Sequence, residues 1–208
     1  MRVSCLQGGD VADIKSDSLI RVQVYSAIAY GARGLYYYCW SHGTFNTSVG
    51  GDNSSPLSNY MVVKAVNADA AKMGTMVLNA RHVGAIRTPS NNKDDHSVPP
   101  GSNRVVQAMD SHLLVGVFSD GQTNETGFLV VVDLRTAMEA GDVPLRQVTL
   151  TINAACTATV VPGGADGWFE RANQEQPPQT STASDGTQQI KLGLHGGGGA
   201  LLQLTAAS

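Results

Sequence analysis

The sequence has few charged residues, little cysteine and no long apolar run. Charged residues make up 15% of the chain and the formal net charge is -3, so no basic surface for nucleic acid or for an anionic membrane is expected. No apolar stretch approaches the roughly 20 residues of a membrane span, and the first residues lack the apolar core of a signal peptide. The expected partners therefore include neither nucleic acid nor a membrane.

Cysteine and histidine provide no recognisable metal site. The three cysteines are Cys5, Cys39 and Cys156. They show no C-x-x-C spacing and the five histidines show no ligand spacing, so we expect buried thiols, no metal and no cofactor. Three N-glycosylation sequons begin at Asn46, Asn53 and Asn124. They are compatible with secretion of a parent protein, but they do not predict a compartment for this chain.

Residues 18–40 form the most informative stretch, because their pattern is typical of a helix, a glycine stop and a short aromatic strand. Apolar residues recur at intervals of three and four, as on one helical face. These residues are Leu19, Val22, Tyr25, Ile28 and Ala29. Asp17 or Ser18 can cap the start of the helix, and Gly31 stands where the helix must end. Leu35 to Trp40 is a short aromatic run that favours a strand.

This stretch resembles the last barrel unit of glycoside hydrolases with a (β/α)8 catalytic domain, above all the clan A, β-galactosidase-like enzymes. The matching pattern is Arg21-x-Gln23-x-Tyr25-x-Ala27-x-Ala29-Tyr30-Gly31-Ala32-x-Gly34-Leu35-x-Tyr37-Tyr38-x-Trp40. The resemblance implies that Leu35 to Trp40 is the eighth barrel strand and that Trp40 forms the floor of a sugar site. Over the rest of the chain the resemblance is one of layout only.

The same placement makes Arg2 to Leu6 the end of the seventh strand, with Gln7 on the face where such barrels carry their chemistry. Clan A enzymes often have a nucleophilic Glu there, and the first Glu of this chain is Glu125. The matching acid/base would come from a fourth strand, which must precede residue 1. We therefore predict no catalytic residue in this chain, and its assignment as an enzyme stays open.

A polar, glycine-rich loop follows at residues 41–56, and in a barrel it would lie over the active site. Loops of this length are usually functional or mobile. His42 and Asn46 are its polar candidates for substrate binding, together with Gln7 and Trp40. The alternative for the loop is a solvated segment without fixed contacts, and the alternative for Trp40 is simple packing beneath it.

The remaining sequence predicts a helix over residues 57–80, a short strand or link at 82–88, and a Pro- and Asn-rich linker at 89–103. From residue 104 onward, short apolar runs alternate with turn residues, which is typical of an antiparallel sandwich. These runs are 105–106, 113–118, 128–134, 148–152, 158–161, 190–194 and 201–204. Residues 174–186 are expected to form an extended surface loop, and Trp168 belongs either to a core or to a sugar contact.

The predicted fold class is α/β plus all-β, an incomplete C-terminal end of a (β/α)8 barrel followed by an antiparallel β-sandwich. The predicted domains are the barrel end at 1–88, the linker at 89–103 and the sandwich at 104–208. A complete barrel needs about 250 residues, more than the 208 given. We expect the C-terminal fragment of a hydrolase of O-glycosidic bonds that is not catalytic by itself. Its partners would be a carbohydrate substrate and the missing N-terminal barrel portion.

Two alternatives remain open at this point. The chain could be a non-catalytic carbohydrate-binding or structural β-sandwich module, with Trp40 or Trp168 as its platform. It could also be a fragment that does not fold alone, because two barrel units cannot close a sheet and would leave strand edges exposed.

Overall fold

A computed structural model of the chain describes residues 16–36, 57–88, 100, 105–121, 126–137, 143–164 and 167–207. The helices in these ranges are α1 (Asp17–Ala29), α2 (Leu57–Val77) and α3 (Trp168–Glu175). The strands are β1 (Arg81–Arg87), β2 (Val106–Met109), β3 (Leu113–Ser119), β4 (Gly127–Asp133), β5 (Arg146–Ile152), β6 (Cys156–Val161), β7 (Gln179–Thr182), β8 (Gln188–Leu194) and β9 (Gly199–Ala206).

The end of α1 confirms the predicted glycine stop. Gly31 has a φ of 83°, a left-handed conformation that glycine adopts without a steric penalty. Its N–H donates to the Ile28 carbonyl at 2.8 Å, and the Ala32 N–H donates to the Ala27 carbonyl at 2.9 Å. This pair of bonds is a Schellman motif, which satisfies the last carbonyls of the helix and turns the chain away from its axis. The second predicted helix is confirmed as α2.

The strands form two antiparallel sheets. The five-stranded sheet, called sheet A, has the order β1-β3-β4-β9-β6, and the four-stranded sheet, called sheet B, has the order β2-β5-β8-β7. The predicted mixture of α and β structure with a large antiparallel content is therefore confirmed. Of the predicted barrel strands, Arg2 to Leu6 lies outside the described residues. Leu35 and Tyr36 belong to no strand, and 37–40 are again outside the described ranges.

Two hydrophobic clusters lie on the two faces of sheet A. The first joins sheet A to sheet B, for example through Val131 of β4 and Leu150 of β5. The second joins α1 and α2 to the other face of sheet A, for example through Ile28 and Val130. Because neighbouring residues of a strand point to opposite faces, β4 contributes alternate residues to the two clusters.

Strand β1 connects the two predicted domains. It precedes the predicted linker at 89–103, yet it pairs antiparallel with β3, which follows that linker. The segments on either side of the linker thus share a sheet, while the division at 1–88, 89–103 and 104–208 stays a prediction.

The prediction of an extended loop at 174–186 is wrong. This segment contains the end of α3 and all of β7. Strand β7 is exposed at every position, so it has no apolar residue that could have revealed it in the sequence. Helix α3 is only eight residues long and obtains its N-terminal hydrogen bond from a distant residue, as described below.

Candidate functional site

The four predicted substrate-binding residues lie outside the described part of the chain. They are Gln7, Trp40, His42 and Asn46. Their roles stay predictions. The structure does describe the segments that flank residues 37–56 in the sequence, which are α1 with the residues up to Tyr36 and helix α2.

The segment between α1 and Tyr36 is fixed to the end of α2 by Arg33. The guanidinium donates to the Val77 carbonyl at 3.3 Å and to the Ala80 carbonyl at 2.8 Å. A cation at a helix C-terminus also interacts favourably with the helix dipole. Tyr36, the last described residue of this segment, is 65% exposed, so the segment reaches the protein surface there.

His82 braces the same turn from the side of the sheet. Its Nε2 lies 3.0 Å from the Ala29 carbonyl oxygen, and its ring packs edge-on against Phe118 with 5.1 Å between the centroids. A Cβ at Gly31 would lie 2.8 Å from the His82 ring, so the turn requires glycine for space as well as for conformation. The exit of α1 is therefore fixed to both α2 and sheet A.

A cavity of about 240 Å³ lies between α1, α2 and the anchored segment. Its lining residues are Ile28, Ala32, Arg33, Gly34, Leu35, Asn67, Ala70, Ala71, Gly74, Val77, Leu78 and Phe118. Arg33 and Asn67 are its polar side chains, and none of the lining residues is a carboxylate. The described lining therefore offers no general acid or nucleophile for glycoside hydrolysis, which requires a pair of carboxyl groups.

Asp69 of α2 is a fully buried carboxylate that joins all three helices. It accepts from the Tyr25 hydroxyl at 2.6 Å, the Gly164 N–H at 2.8 Å and the Phe169 N–H at 3.1 Å. Phe169 lies in the first turn of α3, where unpaired N–H groups need an acceptor. Asp69 thus caps α3 from another helix, and its oxygens are occupied by structural partners.

Asp133 is the second fully buried carboxylate and holds two arginines at the end of β4. Arg135 approaches to 2.7 Å and Arg146 to 3.1 Å. The same guanidinium groups donate to the carbonyls of Pro144 at 3.1 Å and Ser111 at 2.8 Å. These bonds connect three loop segments, so this cluster also has a structural explanation.

Arg21 is a charged residue with no exposed surface in the middle of α1. Its Nε and one terminal nitrogen donate to the Gly196 carbonyl at 2.9 and 2.7 Å. A Cβ at Gly199 would lie 2.6 Å from the Tyr25 ring, so this glycine segment lets α1 approach β9 closely. In the sequence, the position of Arg21 among the apolar residues of α1 was the signal that could have indicated a buried hydrogen-bond partner.

Among the described residues, no three His, Cys, Asp or Glu side chains are grouped so that they could hold a metal ion. No helix in the described ranges has both the length and the apolarity to cross a membrane. Comparisons of the chain with protein-family models, with curated proteins and with solved structures find no match.

Proposed function

We propose that this chain is the C-terminal part of a glycoside hydrolase that acts on O-glycosidic bonds and that the chain is not catalytic by itself. In this proposal α1 and α2 are the last two helices of a (β/α)8 barrel, and sheets A and B form a β-sandwich packed against them. The observation that carries it is the anchored exit of α1. The Schellman turn and Arg33 fix the end of a helix of the matching pattern, a few residues before Trp40 in the sequence.

The packing of the helices supports this arrangement. Both helices contribute to one hydrophobic cluster with sheet A. The order helix, aromatic segment, polar loop and helix is that of a barrel unit, and a barrel carries its chemistry at the carboxyl ends of its strands. The chain would thus provide a rigid support for one edge of a sugar site.

Trp40 would supply an apolar platform for the C–H face of a sugar ring, with Gln7, His42 and Asn46 as hydrogen-bonding neighbours. The two catalytic carboxylates would come from barrel strands upstream of residue 1. This assignment agrees with the use of Asp69 and Asp133 as structural acceptors.

The first experiment isolates the native protein from its own cells with an antibody against residues 104–208. We expect a polypeptide well above 21.8 kDa, the mass of this chain, that hydrolyses aryl glycosides. A polypeptide of 21.8 kDa without hydrolysis would overturn the proposal. If that short protein showed sugar-dependent tryptophan emission, a carbohydrate-binding module would replace the hydrolase.

A pair of variants in the isolated native protein tests the platform itself. Trp40→Ala should lower kcat/KM for aryl glycosides, because the sugar loses its stacking surface, whereas Trp168→Phe should leave kcat/KM unchanged. Equal values for Trp40→Ala and the unaltered enzyme would remove Trp40 from the site.

A further inference from the structure

The edge strands of the two sheets differ in how they are protected against pairing with another chain. An open edge exposes unpaired backbone groups, and proteins usually block it with bulges, charges or covering side chains. In sheet A, the β1 edge has a register shift between His82 and Gly84 and carries Arg81 and Arg87. In sheet B, the β2 edge has a register shift between Val106 and Ala108. These register shifts make β1 and β2 irregular, so a strand from another chain cannot pair along their full length.

The β6 edge is blocked by a side chain from the other sheet. The side-chain Oε1 of Gln188 accepts from the Ala158 N–H at 2.7 Å, and the side-chain Nε2 of Gln188 donates to the Ala158 carbonyl at 3.4 Å. The side-chain amide therefore occupies the N–H and the carbonyl of Ala158, two backbone groups that an added strand would use.

Strand β7 has none of these features. It pairs with β8 in regular register from Gln179 opposite Lys191 to Thr182 opposite Gln188. It contains no charge, no proline and no bulge, and each of its four residues is exposed. Residues on both faces of a strand are seldom all exposed, because one face usually packs on a core. Here the exposed run continues beyond the strand to residue 185.

The exposed run is rich in hydroxyl groups. Its hydroxyl residues are Thr180, Ser181, Thr182 and Ser184. None of these hydroxyls makes a hydrogen bond to another described residue. By contrast, the Thr187 hydroxyl donates to Asp185 at 2.7 Å and the Thr126 hydroxyl donates to Asp120 at 2.8 Å. Pro177 and Pro178 precede the run, and residues 176–184 carry no charge.

Segments that combine serine and threonine with proline are typical sites of O-linked sugars. We propose that β7 and the turn after it form an O-glycosylation site, with hexose or N-acetylhexosamine units on the four hydroxyls. The bulky, hydrated sugars would occupy the space in which another strand would pair. The modification thereby gives β7 the protection that β1, β2 and β6 obtain from the polypeptide.

The chemistry needs a nucleotide-activated sugar and a transferase. The hydroxyl oxygen attacks the anomeric carbon, the bond from that carbon to phosphate breaks, and the nucleoside diphosphate leaves with its electron pair. The hydroxyl proton passes to a base on the transferase. The extended strand, exposed on both faces, presents Thr180, Ser181 and Thr182 on alternate sides, and the exposed turn presents Ser184, so no local unfolding is needed.

The test is mass spectrometry of the protein from its own cells after digestion with trypsin. Cleavage after Arg171 and Lys191 gives the peptide 172–191, which contains the complete hydroxyl run. We expect this peptide to carry added masses of whole sugar units, located by fragmentation at residues 180–184. An unmodified peptide, a peptide that carries phosphate only, or sugar at Thr187 alone would each overturn the proposal.

The neighbouring peptide 147–171 serves as a matched control. It contains Thr157 and Thr159, which are also exposed on an edge strand, but the buried Ala158 lies between them and the edge is blocked there. We expect this peptide to be unmodified. Equal modification of both peptides would contradict the proposal, because exposure of a hydroxyl alone would then determine which residues receive sugar. Replacement of all four hydroxyl residues by alanine should abolish the gel-mobility shift caused by O-glycosidases. Thr157→Ala with Thr159→Ala should keep that shift.

Discussion

Sheets A and B are built from the same kind of antiparallel pairing, yet their strands are buried in different ways. Strand β3 of sheet A is buried at all seven positions, whereas β5 of sheet B alternates between buried and partly exposed residues. The difference shows how many layers cover each sheet, because a sheet covered on both faces needs apolar residues at every position.

Sheet A lies between two apolar layers. Leu129 and Val131 of β4 face sheet B, while Val130 and Val132 face the helices. On the face of sheet B that points away from sheet A, the partly exposed Thr149 of β5 stands opposite Lys191 of β8. Their polar groups remain accessible to water, so no partner within the protein is required.

The largest expected effect comes from separating the helix layer from sheet A. A Cβ at Gly116 of β3 would lie 2.6 Å from the Ala29 Cα. Gly116→Ala should therefore displace the end of α1 and lower the free energy of unfolding by about 3 kcal/mol. Urea denaturation followed by circular dichroism measures this loss.

Gly84→Ala is the matched control in the neighbouring strand β1. A Cβ at Gly84 has no heavy atom within 4 Å, so this change should alter the free energy of unfolding by less than about 0.5 kcal/mol. Equal effects of the two substitutions would mean that α1 does not rest on sheet A as closely as described.

Substitutions between valine and threonine sharpen the comparison of the two sheets, because the two side chains have nearly the same shape and a similar preference for β-strands. Val130→Thr and Val131→Thr each place a hydroxyl in an apolar layer and should each cost about 2 kcal/mol of unfolding free energy. In β5, Val148→Thr should cost a similar amount, whereas Thr149→Val should change stability by less than about 0.5 kcal/mol.

Denaturation midpoints of these four variants decide the number of covered faces. If Val130→Thr were neutral while Val131→Thr was destabilising, sheet A would be shielded from water only on the face toward sheet B. Sheet A would then resemble sheet B, and the helix layer would be loosely packed.

The strands were easier to predict from the sequence than the contacts between distant residues. The apolar runs at 113–118 and 128–134 correspond to β3 and β4, and the alternating run at 148–152 lies in β5. The end of α1 was predictable because Gly31 acts through local geometry. These features depend on neighbouring residues, which a linear sequence displays directly.

Contacts between distant residues were not predictable in the same way. Asp69 caps α3 across 100 positions of the chain, and Arg21 binds the carbonyl of Gly196 across 175 positions. No local pattern encodes such a pairing. The substrate-binding residues inferred from the resemblance, among them Trp40, lie outside the described residues and stay predictions.

The smallest expected effect concerns the turn between β7 and β8 in sheet B, where charge is exposed to water. Asp185 accepts from the Thr187 hydroxyl at 2.7 Å and from the Thr187 N–H at 2.9 Å. These bonds, the hydroxyl bond first, hold the pKa of the Asp185 carboxyl below its ordinary value of 3.8. A carboxyl with a lowered folded-state pKa stabilises the fold above its unfolded-state value and loses that contribution as the pH falls through the folded-state value.

Asp185→Asn should therefore be slightly less stable than the unaltered chain at neutral pH, and the difference should disappear as the pH falls below about 3.8. Thermal unfolding of both proteins between pH 7 and pH 2.5 measures this convergence. A constant difference across the series would show that the turn depends on side-chain shape and not on charge. Residues of this turn belong to neither hydrophobic cluster. The effect of Asp185→Asn on stability should therefore be the same when Asp185→Asn is combined with Val131→Thr.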